Sequence, residues 1–269
     1  MTAPPERILQ AGLVVLLAVV SAANAQTTQP AKLTSEWTPL FNGKDLSGFY
    51  SFIGGQGKDK DPDGYFKVEN GMIHILGLAP TDARKEFGYL ATDKEFADFH
   101  FRAQFKWGEK KFTPRTTQPR DSGVLYLMTR NDKVWPDSIE CQVQEKDVGE
   151  MIIVGNNLNV MVPITMRGNQ RVFDPAGTPT SVKSGRVYKT PVADKLTDWN
   201  TVEVIVKGNS SVHIVNGTFM MHLPDIRLAD GSPLTSGKIL LQAEGAEVFY
   251  KNIEIRGLKP DEQLPKPTP

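Results

Sequence analysis

The sequence predicts an all-β protein, folded as two antiparallel sheets packed in a sandwich or jelly roll. Three observations predict it. Short runs with alternating apolar residues recur between turn signals from Trp37 to Leu258. No long stretch in that span repeats its apolar residues with the 3.6-residue period of a helix. Asn70-Gly71 and Asn216-Gly217 supply the dipeptide favoured where a two-residue hairpin needs positive φ at both central positions. Many short strands with no helices between them bury their apolar faces by stacking two antiparallel sheets.

Arg7 precedes an apolar run from Ile8 to Val20, which ends in Ala23-Asn24-Ala25. That pattern is a secretory signal peptide over residues 1–25, and the run is shorter than the ~20 residues a membrane span needs. The mature protein is therefore expected to be exported, periplasmic or secreted, with no membrane attachment after cleavage. Residues 26–36, polar and Pro-containing, read as a flexible leader, residues 37–258 as a single domain, and residues 259–269 as a Pro-rich tail.

The strands follow in order. "YFKVENGMIHIL" is a hairpin across Asn70-Gly71, followed by "FHFRAQFKW", "GVLYLMT" and "SIECQVQ". After them come "NTVEVIVKG", "SVHIVNGTFM" turning at Asn216-Gly217, "GKILLQAE" and "VFYKNIEIRG". Two long segments lack this pattern, Ser51 to Gly64 and Asn156 to Asp198. They read as irregular loops that wall a groove over one sheet.

Composition narrows the function. With 269 residues, 39% hydrophobic and 23% charged, the chain can bury a sizeable core. Its 31 basic and 31 acidic residues cancel, so no global field gathers nucleic acid or an anionic surface, and a neutral partner fits better. The single Cys141 cannot form a disulfide within the chain and lies on the apolar side of its strand, as a small buried hydrophobe would. No Gly-x-Ser-x-Gly elbow is present, and His74, His100, His213 and His222 lack metal-ligand spacing. "GGQG" and "DKDPDG" read as turns, lacking the context of a phosphate loop and of an EF-hand.

Alternation in Ser138–Gln144 places Glu140, Gln142 and Gln144 opposite Ile139, Cys141 and Val143. Two readings of this polar face are open: an ordinary solvated surface, or the floor of a sugar site, since carboxylates and amides pair with hydroxyl arrays. Gln242 and Glu244 repeat the pattern on another strand. Tyr126 and Arg130 follow Asp121 on the "RDSGVLYLMTR" segment, where Arg120 and Asp121 are adjacent and available for a local ion pair. Glu150 lies just beyond the opening strand.

Seven ordered segments carry a family resemblance: "WTPLFNGKDLSGF", "GYLATDKEFADFHFRAQFKWG", "RDSGVLY", "SIECQVQEKDVGE", "DWNTVEVIVKG", "VHIVNG" and "GKILLQAEGAEVFYKNIEIR". Together they resemble the bacterial 3-keto-disaccharide hydrolase family from Trp37 to about Leu258. The resemblance implies a concanavalin A-like jelly roll and an exported enzyme that cleaves 3-keto-glycosides. It also implies that Glu140, Gln142 and Gln144 line the concave face. The family commonly has His where this chain has Leu127, and Gly-Asp-aromatic where it has Gly149-Glu150-Met151.

A ketone at C3 acidifies the C2 hydrogen, so a base can remove it and the enolate can expel the C1 group; water then adds. This route needs no covalent nucleophile. Glu140 is the first candidate for the base or a direct sugar ligand, and Glu150 the second. Gln142, Gln144, Tyr126, Arg130, Gln242 and Glu244 are candidates for substrate binding, and Arg130 or a divalent cation for steadying the enolate. Glu140 and Glu244 form a conventional glycosidase pair if their strands are neighbours. The alternatives to an enzyme are a non-catalytic, lectin-like carbohydrate-binding domain on the same fold and a structural envelope protein.

Overall fold

The computed structural model describes residues 29–77, 85–129 and 131–267. The signal peptide expected at 1–25 and Arg130 lie outside them. Among the described residues there are strands and turns but no α-helix.

Two large antiparallel sheets form the sandwich. The first runs, in spatial order, through Thr218–Leu223, Ser210–Val215, Asn200–Lys207, Phe99–Lys111, Ala246–Gly257, Met72–Ile75 and Phe66–Glu69. The second runs through Gly185–Val187, Met151–Val154, Ser138–Gln142, Gly123–Met128, Ser236–Ala243, Gly88–Thr92, Phe49–Ile53 and Gly57–Lys58. Alternation dictates which side chains meet between them. Phe99, Phe101, Ala103, Phe105 and Trp107 turn inward from one long strand, while His100, Arg102, Gln104 and Lys106 turn out. Ile139, Cys141, Val124 and Ile239 meet them from the second sheet. The hairpins turn where Asn-Gly was expected to place them, with φ of 52° and 73° at Asn70-Gly71 and 49° and 76° at Asn216-Gly217.

Several expectations are corrected here. The segment Asn156–Asp198 is irregular mainly over its last stretch, 189–198. Leu158–Arg167 pairs with Gln170–Phe173, Thr178–Val182 and Asp225–Leu228 in a small third sheet. Pro163 and Pro179, paired opposite one another, disguise these strands in the sequence. The leader is laid down from Ala31, whose N–H donates to Glu95 O at 2.8 Å, and Leu33 packs on the core. The start of the tail is likewise tied, because Arg256 Nη2 pairs with Glu262 Oε1 at 2.5 Å and Lys207 Nζ reaches Pro260 O at 3.1 Å.

Tyr126 is the most consequential correction. Cross-strand pairing with Ile139 turns it into the inter-sheet core, where it is fully buried, and not onto the open face. Its hydroxyl donates to His213 Nε2 at 2.8 Å and lies 2.7 Å from Ser211 Oγ; His213 Nδ1–H donates to Gly149 O at 3.0 Å. Burial lowers the His213 pKa to about 4, against the raising effect of the Gly149 carbonyl, so the ring is neutral and this tautomer satisfies all three groups. Leu127 follows at φ 52°, where the pairing with Ser236–Ala243 slips, and it too is buried in the core. The slip breaks the alternation, so Met128 packs on the opposite face from Val124 and Tyr126.

Tyr126→Phe is expected to destabilise the fold by about 1–3 kcal/mol by leaving His213 and Ser211 short of a partner. Thermal melting measures it, and an unchanged midpoint contradicts the network.

Candidate functional site

The outer face of the second sheet carries the site. Leu125, Glu140, Ile152 and Arg186 lie side by side across four strands, in pairs Glu140–Leu125, Glu140–Ile152 and Ile152–Arg186. The next row holds Gln142 opposite Gly123, and Gln242 opposite Tyr89. Above these rows is a cavity of about 380 Å³ whose lining includes Glu140, Gln142, Gln144, Gln242 and Glu244. Five of the eight residues named as site candidates are thus brought together.

Gly123 makes the convergence possible. A Cβ at this position would lie 2.3 Å from Glu140 Oε1 and 3.1 Å from Gln242 Oε1, so both polar side chains occupy the space that any other residue would fill. Glu140 is 4% exposed, and its Oε1 has no hydrogen-bond partner in the protein; Gln242 Oε1 is likewise buried and unpaired. Burial pushes the Glu140 pKa up to about 8, and the negative charge of Glu244 adds to the rise, against the opposing pull of Arg186 and Arg115. Glu244 is also shifted upward by burial, although Arg115 and Arg186 counter it.

The other polar groups form a linked wall. Arg115 Nη1 meets Glu244 Oε1 at 3.0 Å, and Arg115 Nη2 also pairs with Asp121 Oδ2. The same Asp121 oxygen accepts Gln144 Nε2 at 2.7 Å, while Gln142 Oε1 accepts the Val143 N–H at 2.8 Å. Arg120 takes no part with Asp121: its Nε bonds Glu145 Oε1 at 2.7 Å. On the opposite flank Arg186 Nε faces Glu150 Oε2 at 3.3 Å, and its Nη1 faces Asp147 Oδ2 at 3.3 Å. Glu150 therefore reaches the cavity through Arg186. Burial raises its pKa to about 7, with Arg186 opposing the shift and Asp147 adding to it.

Sequence reasoning missed Arg115 and Arg186, along with the apolar lining of Phe87, Trp135, Ile152 and Val154. Arg186 comes from the segment expected to wall the groove; the Ser51–Gly64 segment does not line the cavity. Leu127 and Met151, two of the departures from the family pattern, face the core and lie outside the lining. Among the described residues no group of three or more His, Cys, Asp or Glu side chains has a metal-binding arrangement.

A cavity of carboxylates, amides and guanidinium groups on the open sheet of a jelly-roll sandwich has the donors and acceptors that pair with sugar hydroxyls. The chain belongs to the family of 3-keto-alpha-glucoside-1,2-lyase-like domains, whose model matches residues 36–256. Among solved structures it is similar to a candidate glycosyl hydrolase from Parabacteroides distasonis ATCC 8503, with 20% identity, a TM-score of 0.52, and coverage of 83% of this chain and 94% of that one. A second such protein from the same organism has 19% identity and a TM-score of 0.50, covering 83% and 100%. A Bacillus licheniformis β-glucanase is a looser match, with 12% identity, a TM-score of 0.45, and coverage of 84% and 99%. At these identities the likeness concerns the fold. No curated protein matches the chain in sequence.

Gly123→Ala is expected to displace the Glu140 and Gln242 side chains and to destabilise the protein by about 1–3 kcal/mol, the range for overpacking a filled site. Thermal melting checks it; a variant as stable as the parent would mean that the two side chains do not need this space.

Proposed function

We propose that the protein cleaves 3-keto-glycosides by elimination across C1–C2, with Glu140 as the base. The observation that carries this reading is the buried Glu140 carboxyl, one oxygen unpartnered, on the floor of the cavity. The family's description as lyase-like supports the same chemistry.

A carboxylate can take a carbon-bound proton next to a ketone, and a base of higher pKa takes it faster once ionised. A carboxyl with its pKa near 8 is such a base, and about a tenth of it is ionised at pH 7. Glu140 takes the C2 proton, and the electron pair moves into the C2–C3 bond with negative charge on the C3 oxygen. In this reading Arg115 and Arg186, which line the cavity, meet that charge. The pair then returns to form the C1=C2 bond as the C1–O bond breaks and its electrons leave with the departing oxygen. Water added across the double bond gives the free keto-sugar, and Glu140 releases its proton to solvent. Net, one glycoside and one water become a keto-sugar and an alcohol.

Gln142, Gln144, Gln242 and the Arg115–Asp121–Glu244 wall pair with sugar hydroxyls in this reading. Glu150 is a positioning residue that orients Arg186. Arg7 and the apolar run after it support export, so the substrate would be met outside the cytoplasm.

Because the base is active when ionised, kcat/KM on a 3-keto-glycoside is expected to rise about tenfold per pH unit and level off above about pH 8. Deuterium at C2 slows the reaction, and Glu140→Gln lowers kcat about 10²–10⁴-fold. Stopped assays with product mass analysis test all three. Wild-type turnover by Glu140→Gln removes this residue as the base, and binding without cleavage by the wild-type protein favours a sugar-binding role.

A further inference from the structure

Beside the cavity the open face of the second sheet continues as a buried apolar floor. Tyr50, Tyr89, Ala91, Leu125 and Leu240 lie on it, each 4% exposed or less. Residues 131–137 run across this floor and lead into the strand that carries Glu140. Among the described residues, 131–136 make no hydrogen bond from backbone to backbone, and the first such tie is at Asp137, whose carbonyl accepts the Thr129 N–H at 3.0 Å.

Side chains hold the stretch instead. Asp132 Oδ1 accepts two tyrosine hydroxyls, Tyr50 at 2.7 Å and Tyr89 at 2.8 Å, from strands that pair with each other. Burial pushes both phenol pKa values above their ordinary range, and Asp132 adds to the rise, so both hydroxyls keep the protons they donate. Two residues on, Val134 Cγ2 lies 2.9 Å from where a Cβ on Gly54 would be. The next residue is Trp135, which lines the cavity with its ring centroid 5.4 Å from that of Phe87.

We propose that Asp132 is a positioning residue for the site: clamped by Tyr50 and Tyr89, it holds residues 131–137 on the sheet and so fixes Trp135 as a wall of the cavity. The proposal rests on reading the cavity as the substrate site, which Asp132 itself does not line.

Two arguments carry it. Three residues of chain span at most about 10 Å, so where Asp132 is held limits where the Trp135 ring can lie. Tyr89 is fully buried, so loss of the carboxylate removes the acceptor of its hydroxyl, and no backbone ladder replaces the lost anchor. A wall displaced in this way weakens substrate binding and leaves the proton transfer at Glu140 alone. A clamp that served only to cover the floor would change stability and nothing else.

Fluorine NMR of the full chain carrying 5-fluorotryptophan tests the wall directly, with the Trp135 line assigned by its loss in Trp135→Phe. Asp132→Ala is expected to shift or broaden that line, whereas Asp132→Asn, which keeps an oxygen for both hydroxyls, leaves it in place. Trp37 and Trp199, each beside a cation of the first sheet, and Trp107 in the core serve as unmoved references. On a nitrophenyl 3-keto-glucoside, Asp132→Ala is expected to raise KM about fivefold or more, with kcat within about twofold of the parent. If Asp132 acts through Trp135, adding Asp132→Ala to Trp135→Ala changes KM no further. Tyr89→Phe supplies a second variant if Asp132→Ala is unfolded in thermal melts.

An unmoved Trp135 line overturns the proposal. So does a moved line with KM unchanged, or with losses that add in the double variant, because the clamp would then serve only the fold. If the wild-type protein cleaves no 3-keto-glycoside, the reaction assigned above is what fails. The fluorine line then decides the clamp alone: a line moved by Asp132→Ala and kept by Asp132→Asn upholds it, and an unmoved line overturns it.

Discussion

A carboxyl group placed on the floor of a sheet, stripped of water and left with one oxygen unpaired, sits at the centre of this structure. Glu140 reaches that position because Gly123 beside it has no side chain, so the carboxyl can lean across the neighbouring strand toward Gln242. The same displacement from water raises its pKa, and the nearby Glu244 raises it further. Arg115 and Arg186 then become necessary: without cations on both flanks, two buried carboxyls in one cavity would repel each other and resist ionisation altogether. Arg115 is in turn held by Asp121, and Arg186 by Glu150 and Asp147. Much of the polar architecture around the cavity follows from keeping one uncomfortable carboxyl in place.

Such a group needs a rigid support, and the sandwich supplies it. Behind Glu140 the strand turns Ile139 and Cys141 into a core shared by both sheets. The neighbouring strand fixes its own register by burying Tyr126 in a closed set of hydrogen bonds with His213 and Ser211. A polar network buried between sheets is costly to break and therefore specifies a single register. A one-residue slip would carry Gly123 away from Gln142 and set a side chain against the carboxyl. Core and site are thus coupled through strand register, even though Tyr126 never faces the cavity.

How much of this was legible in the sequence differs by residue. The two-residue period exposed the polar stripe of Glu140, Gln142 and Gln144, and the repeat of that stripe at Gln242 and Glu244 pointed to a shared surface, because period and face are local properties. Which face a strand turns toward the core is not local. Tyr126 shares a face with Val124, as its spacing implies, but pairing with Ile139 sends that face inward. Arg115 and Arg186 reach the cavity from segments distant in sequence, with no periodic signal to mark them. The small sheet from Leu158 to Val182 was hidden because prolines in its strands mimic loop composition. Positive φ at Leu127, where alternation fails, is unusual for a leucine and leaves no mark in a single sequence.

The central claim is that Glu140 is a proton acceptor made strong by burial. The most direct measurement is its titration in the intact protein, with carboxyl-labelled glutamate followed by carbon NMR and the resonance assigned by its loss in Glu140→Gln. The account predicts a midpoint near pH 8, moving downward when Glu244 is replaced by Gln. A midpoint of 4 to 5, the range of a solvated glutamate, would mean that the carboxyl is not desolvated, and the proposed base would lose its physical footing.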